Sequence, residues 1–378
     1  MRIPLSSPDI TEGDIQAVSA VLRTSTLSLG PKVREFEIAV SGYVGASNAI
    51  AVHSGTSGLH LCIRALGIRE GDEVIVPSFT FIAVANVVRY EKATPVFVDI
   101  EAQTLNLDSS QLEAAITTRT RAIIVTHTFG RPAELSSILE IARRHGLYVV
   151  EDACEALGAE YDAQKVGVFG DVGVFAFYPN KQITTGEGGV VVTNNSEIAS
   201  KIRQLRNQGR DGSKEWFEYS ELGYNYRISD INCALGVEQL KRIDSILCRR
   251  ETIAQRYDRI LSYEPHLELP PLTLPRRKIS WFGYVLRLSD RLKQVHRDWI
   301  VNEMKSRGIG IGRYFAPIHL QTVYRSCVDT QPLLPVTELY ASRSLALPFF
   351  NRIREDQIKE VCRTLVELIE SAKDKTLC

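Results

Sequence analysis

The sequence has no excess of either charge. Lys and Arg together number 45, and Asp and Glu also number 45, so the formal net charge is zero. Proteins that bind nucleic acids or anionic membrane surfaces generally carry a basic excess or a basic stripe. The composition therefore argues against a nucleic-acid partner and against a membrane-surface protein.

Long hydrophobic runs are also absent. No apolar stretch reaches the roughly 18 residues that a membrane-spanning helix requires. Residues 1–8 lack the apolar core of a secretory signal peptide. From these absences we expect a cytoplasmic protein without a membrane partner.

The seven cysteines form no C-x-x-C pair. Zinc ribbons, redox motifs and many iron–sulfur sites depend on closely spaced pairs of this kind. We therefore expect no metal site, and we expect the thiols to be reduced. The sequence also has no internal repeat and no low-complexity segment.

What the sequence does contain is an alternation of short apolar strands with helical patterns. Strands are predicted at residues 49–52, 73–77, 95–99, 122–126, 147–152, 172–177 and 190–193. Such an alternation predicts a doubly wound α/β sheet, whose ligands bind outside the carboxyl ends of the strands.

The length and a proline-rich stretch predict more than one domain. The chain has 378 residues, which is long for one domain, and residues 265–277 are rich in proline. A helix is predicted from Ser229 through Leu240 and on toward Tyr257. Beyond the proline-rich stretch, the pattern predicts strands at 281–288 and 309–311 and helices at 291–307 and 355–369. We predict a large domain over residues 1–245 and a smaller C-terminal α/β domain over residues 246–378.

One lysine stands between two of the predicted strands. Lys181 lies in a turn rich in Thr and Gly, after the strand at 172–177 and before the strand at 190–193. Burial disfavours a charged ammonium group without a partner, and a neutral amine is a nucleophile that forms Schiff bases with carbonyl groups. Taken alone, a lysine in a turn is more often simply exposed.

Other residues with suitable chemistry follow the ends of neighbouring strands. The helix after the first strand opens with Gly55, Thr56 and Ser57, Phe81 follows the second strand, and Asp152 ends the fifth. Pyridoxal 5'-phosphate (PLP) requires a lysine for its aldehyde and an acid beside its pyridine nitrogen. It also requires a helix N-terminus for its phosphate and an aromatic face over its ring. Together with Lys181, these residues predict a PLP site.

Longer stretches of the sequence resemble the DegT/DnrJ/StrS family of PLP-dependent sugar aminotransferases along nearly the whole chain. The resemblance is carried by residues 54–57, 72–81, 93–99, 151–158, 175–189, 223–227 and 317–319. It implies the type I PLP aminotransferase fold, with a mixed, mostly parallel sheet in a large domain and a smaller C-terminal α/β domain. It also implies a homodimer in which the partner subunit completes each active site.

The resemblance assigns roles around the cofactor ring. Lys181 matches the Schiff-base lysine and general base, and Asp152 matches the partner of the pyridine nitrogen. Phe81 matches the aromatic residue that stacks on the ring. Many members have Gln where this chain has Glu155, which would face the phenolate oxygen of the ring and repel it unless protonated or turned away.

The resemblance also assigns the phosphate site. Gly55, Thr56 and Ser57 match the phosphate-binding turn, and Asn225 matches an asparagine that reaches the phosphate from the neighbouring subunit. Where many members have Ser, this chain has Ala176, which removes a hydroxyl group expected to contact the phosphate.

Three further residues match positions near the sugar substrate. They are Glu187, Arg227 and His319.

The activity implied by the resemblance is transamination of a nucleotide-linked keto-sugar for surface polysaccharide or glycoside biosynthesis. Glutamate or glutamine would be the amine donor, and a resemblance to perosamine-synthase-like enzymes favours a 4-keto-6-deoxy sugar. Two alternatives stay open. An aminocyclitol aminotransferase would keep every cofactor residue, and a regulatory protein would bind PLP or a sugar nucleotide without turnover. A sugar dehydratase of the same fold is disfavoured, because relatives with that chemistry have His in place of Lys181.

Overall fold

The structure, a computed structural model, describes residues 2–210, 218–325 and 332–373. Within these ranges the strands are β1 (Asn48–Val52), β2 (Glu73–Pro77), β3 (Thr94–Val98), β4 (Thr120–Thr126), β5 (Tyr148–Asp152), β6 (Glu160–Tyr161), β7 (Gln164–Lys165), β8 (Val172–Ala176), β9 (Gly189–Thr193), β10 (Leu267–Glu268), β11 (Arg277–Lys278), β12 (Tyr284–Leu288) and β13 (Ser344–Leu347). The helices are α1 (Glu12–Leu22), α2 (Pro31–Val44), α3 (Gly55–Ala65), α4 (Ala83–Tyr90), α5 (Leu112–Ala115), α6 (Leu135–His145), α7 (Ser196–Arg206), α8 (Asp230–Leu240), α9 (Ile243–Leu261), α10 (Gln294–Ser306), α11 (Thr322–Arg325), α12 (Pro335–Arg343) and α13 (Glu355–Lys373).

A seven-stranded sheet organises the larger part of the molecule. Its strand order is β1-β9-β8-β5-β4-β2-β3, and β9 alone runs antiparallel to both of its neighbours in this sheet. The other adjacent pairs are parallel. The predicted mixed, mostly parallel sheet is therefore confirmed, and the carboxyl ends of β1, β8, β5, β4 and β2 lie along one edge.

Helices cover both faces of this sheet. Helices α2, α6 and α8 pack on one face with Ala51 and Val190, and helices α3, α4 and α7 pack on the other face with Ile50 and Val191. Successive strand residues thus enter opposite hydrophobic cores. This burial on both faces explains why the strands read as unbroken apolar runs in the sequence. We call the sheet and these helices the large lobe.

A second, smaller α/β unit follows in the chain. Strands β10, β12 and β13 form an antiparallel sheet, which packs with α10, α12 and α13 and which we call the small lobe. Helix α9 contributes Ile246 to the large-lobe core and Ile253 to the small-lobe core. The predicted domain boundary between residues 245 and 246 falls inside α9 and stays a prediction. A third small sheet joins β11, β6 and β7.

Three predicted elements differ from the structure. The predicted helix from Ser229 is interrupted at Arg242, which leaves helical geometry at φ −105° and ψ 6° and donates a hydrogen bond to Asp14. The predicted strand at 281–288 begins only at Tyr284, because the carbonyl oxygens of residues 281 and 282 accept hydrogen bonds from a buried arginine. Residues 309–311 form no strand; Ile309 makes a single bridge to the N-terminal segment. Elements β13 and α12 are absent from the prediction.

None of the helices in the described ranges is long and apolar enough to cross a membrane. Across the same ranges, His, Cys, Asp and Glu side chains form no group of three or more that could hold a metal ion. The described cysteines are free thiols, namely Cys62, Cys154, Cys233, Cys248 and Cys362. The two remaining cysteines, Cys327 and Cys378, lie outside the described residues.

Candidate active site

A cavity of about 580 Å³ opens at the edge of the large sheet where the parallel strands end. Residues that follow β1, β2, β4, β5 and β8 line it, together with aromatic residues of the small lobe. The residues predicted from the sequence that line this cavity are Gly55, Thr56, Phe81, Asp152, Glu155, Lys181 and Glu187. The structure therefore brings together most of the predicted site.

Lys181 is largely enclosed at the bottom of the turn after β8. Its side chain is only 14% exposed, and its Nζ lies 3.5 Å from Oε1 of Glu155. The same Nζ lies 4.5 Å from the ring centroid of Phe282, so an aromatic face also contacts the ammonium group. The turn is fixed by the backbone N–H of Lys181, which donates to the carbonyl oxygen of Tyr178 at 2.9 Å. This lysine is not an ordinary exposed turn residue.

Glu155 is the carboxyl group that pairs with this lysine. Its Oε2 accepts a hydrogen bond from the backbone N–H of Phe129 at 2.9 Å. Burial raises the pKa of Glu155 above its ordinary value, while the charge of Lys181 and the Phe129 N–H oppose that increase. A carboxyl group held in this way can exchange a proton with a neighbouring amine.

Glu155→Gln is expected to change the pH dependence of stability. Because the pKa of Glu155 is raised in the folded chain, its stabilising contribution is complete below the ordinary carboxyl range and is lost as pH rises through the raised value. Glutamine does not titrate, so the variant should gain stability relative to the wild type as pH rises. Thermal unfolding of both proteins without cofactor, from about pH 4 to about pH 8, measures this difference.

Glu187→Gln is the matched control for this experiment, because Glu187 lies in the same cavity but is exposed. Its stability difference from the wild type should change little with pH. A difference between Glu155→Gln and the wild type that stays constant over the whole pH range would contradict the prediction.

Asp152 is positioned by the centre of the sheet. It is the last residue of β5, which is hydrogen-bonded to β4 on one side and to β8 on the other. Its Oδ1 accepts the backbone N–H of Cys154 at 3.1 Å, and its carbonyl oxygen accepts the N–H of His127 at 3.1 Å. The carboxylate is therefore held in a fixed orientation at the cavity.

The N-terminus of α3 reaches the cavity because its backbone at Gly55 packs closely against the end of β8. A Cβ atom at Gly55 would lie 2.8 Å from Cβ of Ala176 and 2.9 Å from Sγ of Cys154. Only glycine allows this approach, which leaves free N–H groups of the first helical turn at the cavity.

Ser57 has a capping role in this turn and does not line the cavity. Its N–H donates to Oγ of Ser54 at 3.1 Å, and its hydroxyl group donates to the Ser54 carbonyl oxygen at 2.8 Å. Both of its polar groups are thus used to begin the helix. Its predicted contact with a cofactor stays a prediction.

Asn225, Arg227 and His319 also lie outside the cavity lining. Asn225 is exposed, and Arg227 donates to Oδ1 of Asn207 at 3.0 Å. His319 is fully buried and its Nδ1 lies 2.7 Å from Oγ of Ser78. The geometry of this single chain does not bring these three residues to Lys181, and their ligand roles stay predictions.

An aromatic wall from the C-terminal third of the chain completes the cavity, and the sequence analysis missed it. The wall consists of Phe282, Tyr314 and Phe315, and Phe315 stacks on Phe129 with ring centroids 5.3 Å apart. Burial raises the pKa of Tyr314, and the charge of Glu155 raises it further. The other lining residues end at Gly188, 94 positions before Phe282, so no local pattern indicated the wall.

His127 also lines the cavity and was not selected as a candidate in the sequence analysis. Its Nδ1 accepts the N–H of Ala133 at 3.1 Å, which makes Nε2 the donor to Glu151 at 3.0 Å. Glu151 also accepts three backbone N–H groups at 2.7 Å. This buried network fixes the imidazole as a rigid part of the cavity wall.

Comparison with known proteins gives consistent matches over the whole chain. Residues 8–366 match the family described as the DegT/DnrJ/EryC1/StrS aminotransferase family. GDP-perosamine synthase of Caulobacter vibrioides is 39% identical over 371 residues, which cover 97% of this chain and 98% of that protein. Among solved structures, PseC of Helicobacter pylori, an aminotransferase involved in the biosynthesis of pseudoaminic acid, has a TM-score of 0.93 at 30% identity. The match covers 98% of this chain and 100% of that chain. The PLP form of Spr1654 from Streptococcus pneumoniae has a TM-score of 0.93 at 28% identity, with 98% of this chain and 100% of that chain covered.

Proposed function

Because the chain belongs to the DegT/DnrJ/EryC1/StrS aminotransferase family, we propose that it aminates a nucleotide-linked keto-sugar in the biosynthesis of a polysaccharide or glycoside. It is a PLP-dependent aminotransferase with the type I fold, as the sequence predicted. One observation supports this choice of substrate. The chain is 39% identical, over almost the full length of both chains, to an enzyme named for a nucleotide-linked amino sugar. We propose a 4-keto-6-deoxy sugar as substrate and glutamate or glutamine as amine donor.

The chemistry of the cavity fits PLP. Lys181 offers a mostly buried amine, the first turn of α3 offers free N–H groups beside Gly55, and Asp152 offers an anchored carboxylate. Phe81 lines the cavity and is 59% exposed, so its side chain has room to cover a ligand. When bound, PLP supplies an aldehyde that carries the amino group and a ring that accepts electrons from the reacting carbon.

Each proposed role follows from the position of the side chain. Lys181 would hold the aldehyde and, after displacement by an amine, move a proton at its Nζ between the reacting carbon and the cofactor. Asp152 would keep the pyridine nitrogen protonated, and Thr56 with the first turn of α3 would bind the phosphate. The aromatic wall would exclude water from the reacting atoms.

A second subunit is part of the proposal. Tyr178 and Phe81 are both more than half exposed at the rim of the cavity, where they present an aromatic surface that a partner could cover. A homodimer that covers this rim would bury them and would bring the partner's exposed polar residues toward the cofactor. We also propose that the enzyme acts in the cytoplasm.

Absorbance spectra of the purified protein with PLP test the substrate. Glutamate should convert a band near ~420 nm into one near ~330 nm, because the amino group moves from the donor to the cofactor. A nucleoside-diphosphate 4-keto-6-deoxyhexose should then restore the first band, whereas a keto-inositol should not.

The outcomes separate the alternatives. Recovery of the first band only with keto-inositols would assign the enzyme to aminocyclitols. No response to glutamate or glutamine would contradict an aminotransferase and would support a regulatory binding protein.

A further inference from the structure

One segment of the C-terminal part of the chain crosses from the small lobe back to the large lobe beside the candidate active site. At its start, Gly312 exchanges two backbone hydrogen bonds of 2.9 Å with Ala346 of β13. Near its end, Ile318 is buried in the large-lobe core together with side chains of α3 and α4. We call residues 312–320 the crossing segment. Between these two attachments it supplies two of the three residues of the aromatic wall.

His319 joins the crossing segment to the loop that follows β2. Its backbone N–H donates to Oγ of Ser78 at 3.1 Å, and its Nδ1 lies 2.7 Å from the same oxygen. The backbone N–H of Ile318 donates to the carbonyl oxygen of Ser78 at 3.0 Å. Because Nε2 lies 3.3 Å from Oε1 of Glu338, the imidazole donates from Nε2 and accepts the Ser78 hydroxyl proton at Nδ1. Three hydrogen bonds thus attach the crossing segment to one buried serine.

The loop that begins at Ser78 lines the cavity from the side of the large lobe. Ser78 follows β2 directly, and Phe81 of this loop lines the cavity. The ring of Phe79 is fully buried and packs edge-on against Phe315 of the crossing segment, with ring centroids 5.8 Å apart. The contact between Ser78 and His319 therefore lies where two walls of the cavity meet.

The groups proposed to hold the cofactor lie on other elements. Lys181 follows β8, Asp152 ends β5 and Gly55 begins α3. Loosening of the crossing segment should leave these three groups in place. It should change instead the wall that encloses an incoming ligand and excludes water from it.

We propose that His319 is a positioning residue of the active site. Through Ser78 it holds the aromatic residues of the crossing segment against the loop that carries Phe81, and so fixes the shape of the cavity for the keto-sugar. This role requires no contact between the imidazole and a ligand, which agrees with the complete burial of the side chain. The keto-sugar as ligand rests on the proposed function.

Two substitutions of His319 separate positioning from ligand contact. The amide group of asparagine falls near the position of Nδ1, so His319→Asn keeps a partner for Ser78, whereas the longer His319→Gln reaches the position of Nε2 and loses that partner. His319→Gln should raise KM for a nucleoside-diphosphate 4-keto-6-deoxyhexose about 10-fold and change kcat less than about twofold, because the loss of a buried hydrogen bond frees the wall. His319→Asn should stay near the wild type in steady-state kinetics.

Ser78→Ala should raise KM by the same factor as His319→Gln. Combining the two changes should add nothing further, since both remove the same contact. Ser344→Ala is the matched control, because Ser344 is a buried serine of β13 whose hydroxyl group donates to the carbonyl oxygen of Tyr340 at 2.6 Å. It should keep the KM of the wild type. A KM that rises in His319→Gln but not in Ser78→Ala would show that the imidazole itself binds the ligand and would overturn the proposal.

Hydrogen exchange of the holoenzyme tests the contact without any substrate. Mass spectrometry of Ser78→Ala should show faster amide exchange in peptides that cover residues 78–82 and 312–320, and unchanged exchange in β12. Unchanged exchange in both peptides, or faster exchange over the whole chain, would overturn the proposal. If the wild type accepts no keto-sugar, the proposed function fails, while the exchange result still decides whether this contact holds the crossing segment.

Discussion

Lys181→Ala is expected to lose the absorbance band near ~420 nm and to lower kcat by at least about 10³-fold, because no other amine is placed to hold the aldehyde and move the proton. In the described structure, Lys181 is the lysine that lines the cavity, with its Nζ between Glu155 and the ring of Phe282. The turn is held by the backbone N–H of Lys181, which donates to the carbonyl oxygen of Tyr178, so the variant should fold. Spectra after reconstitution with PLP, together with steady-state rates, measure both effects.

Lys359→Ala is the matched control, since Lys359 is an exposed lysine of α13 that pairs with Glu355. It should keep the band and the rate. Addition of methylamine should partly restore the rate of Lys181→Ala if the missing function is a free amine. A variant at position 181 that keeps the band would show that another residue holds the cofactor.

Asp152→Asn is expected to slow the reaction with glutamate by about 10²- to 10³-fold, because it removes a fixed negative charge from the site. The amide oxygen can still accept the N–H of Cys154, so the loop after β5 should stay in place. Stability should therefore change little, while the conversion of the ~420 nm band becomes slow. Stopped-flow absorbance after mixing with glutamate measures that rate.

Asp171→Asn provides a control on the opposite edge of the same sheet. Asp171 precedes β8 and accepts the N–H of Val149 at 2.8 Å, so its charge lies far from the carboxyl ends of the strands. In Asp171→Asn, glutamate should convert the ~420 nm band at the same rate as in the wild type. Equal rates for Asp152→Asn and the wild type would remove Asp152 from the proposed chemistry.

The sheet and the central part of the site were predictable from the sequence. Strands buried on both faces give continuous apolar runs, and parallel strands bring their carboxyl ends to one edge. Residues as distant in sequence as Gly55, Asp152 and Lys181 could therefore be assigned to one cavity, and the structure brings them together there. The family resemblance added the identity of the cofactor, which strand patterns alone do not give.

The remaining differences come from tertiary contacts without a local signal. Phe282, Tyr314 and Phe315 reach the cavity only because the small lobe packs against the large one. Ser57 belongs to the predicted phosphate turn, but its polar groups satisfy the cap of α3. His319 is enclosed by Ser78 and Glu338, and no sequence pattern indicates that either residue lies beside it.

Helix α9 has a consequence for how ligands enter. It runs without interruption from Ile243 to Leu261 and contributes side chains to the cores of both lobes. Rotation of one lobe away from the other about this segment would break consecutive backbone hydrogen bonds of a helix and expose apolar surface on both sides. Hinge opening of the kind seen in many two-domain enzymes is thus unfavourable at this connection. We expect ligand exchange to proceed instead with the two lobes fixed relative to each other.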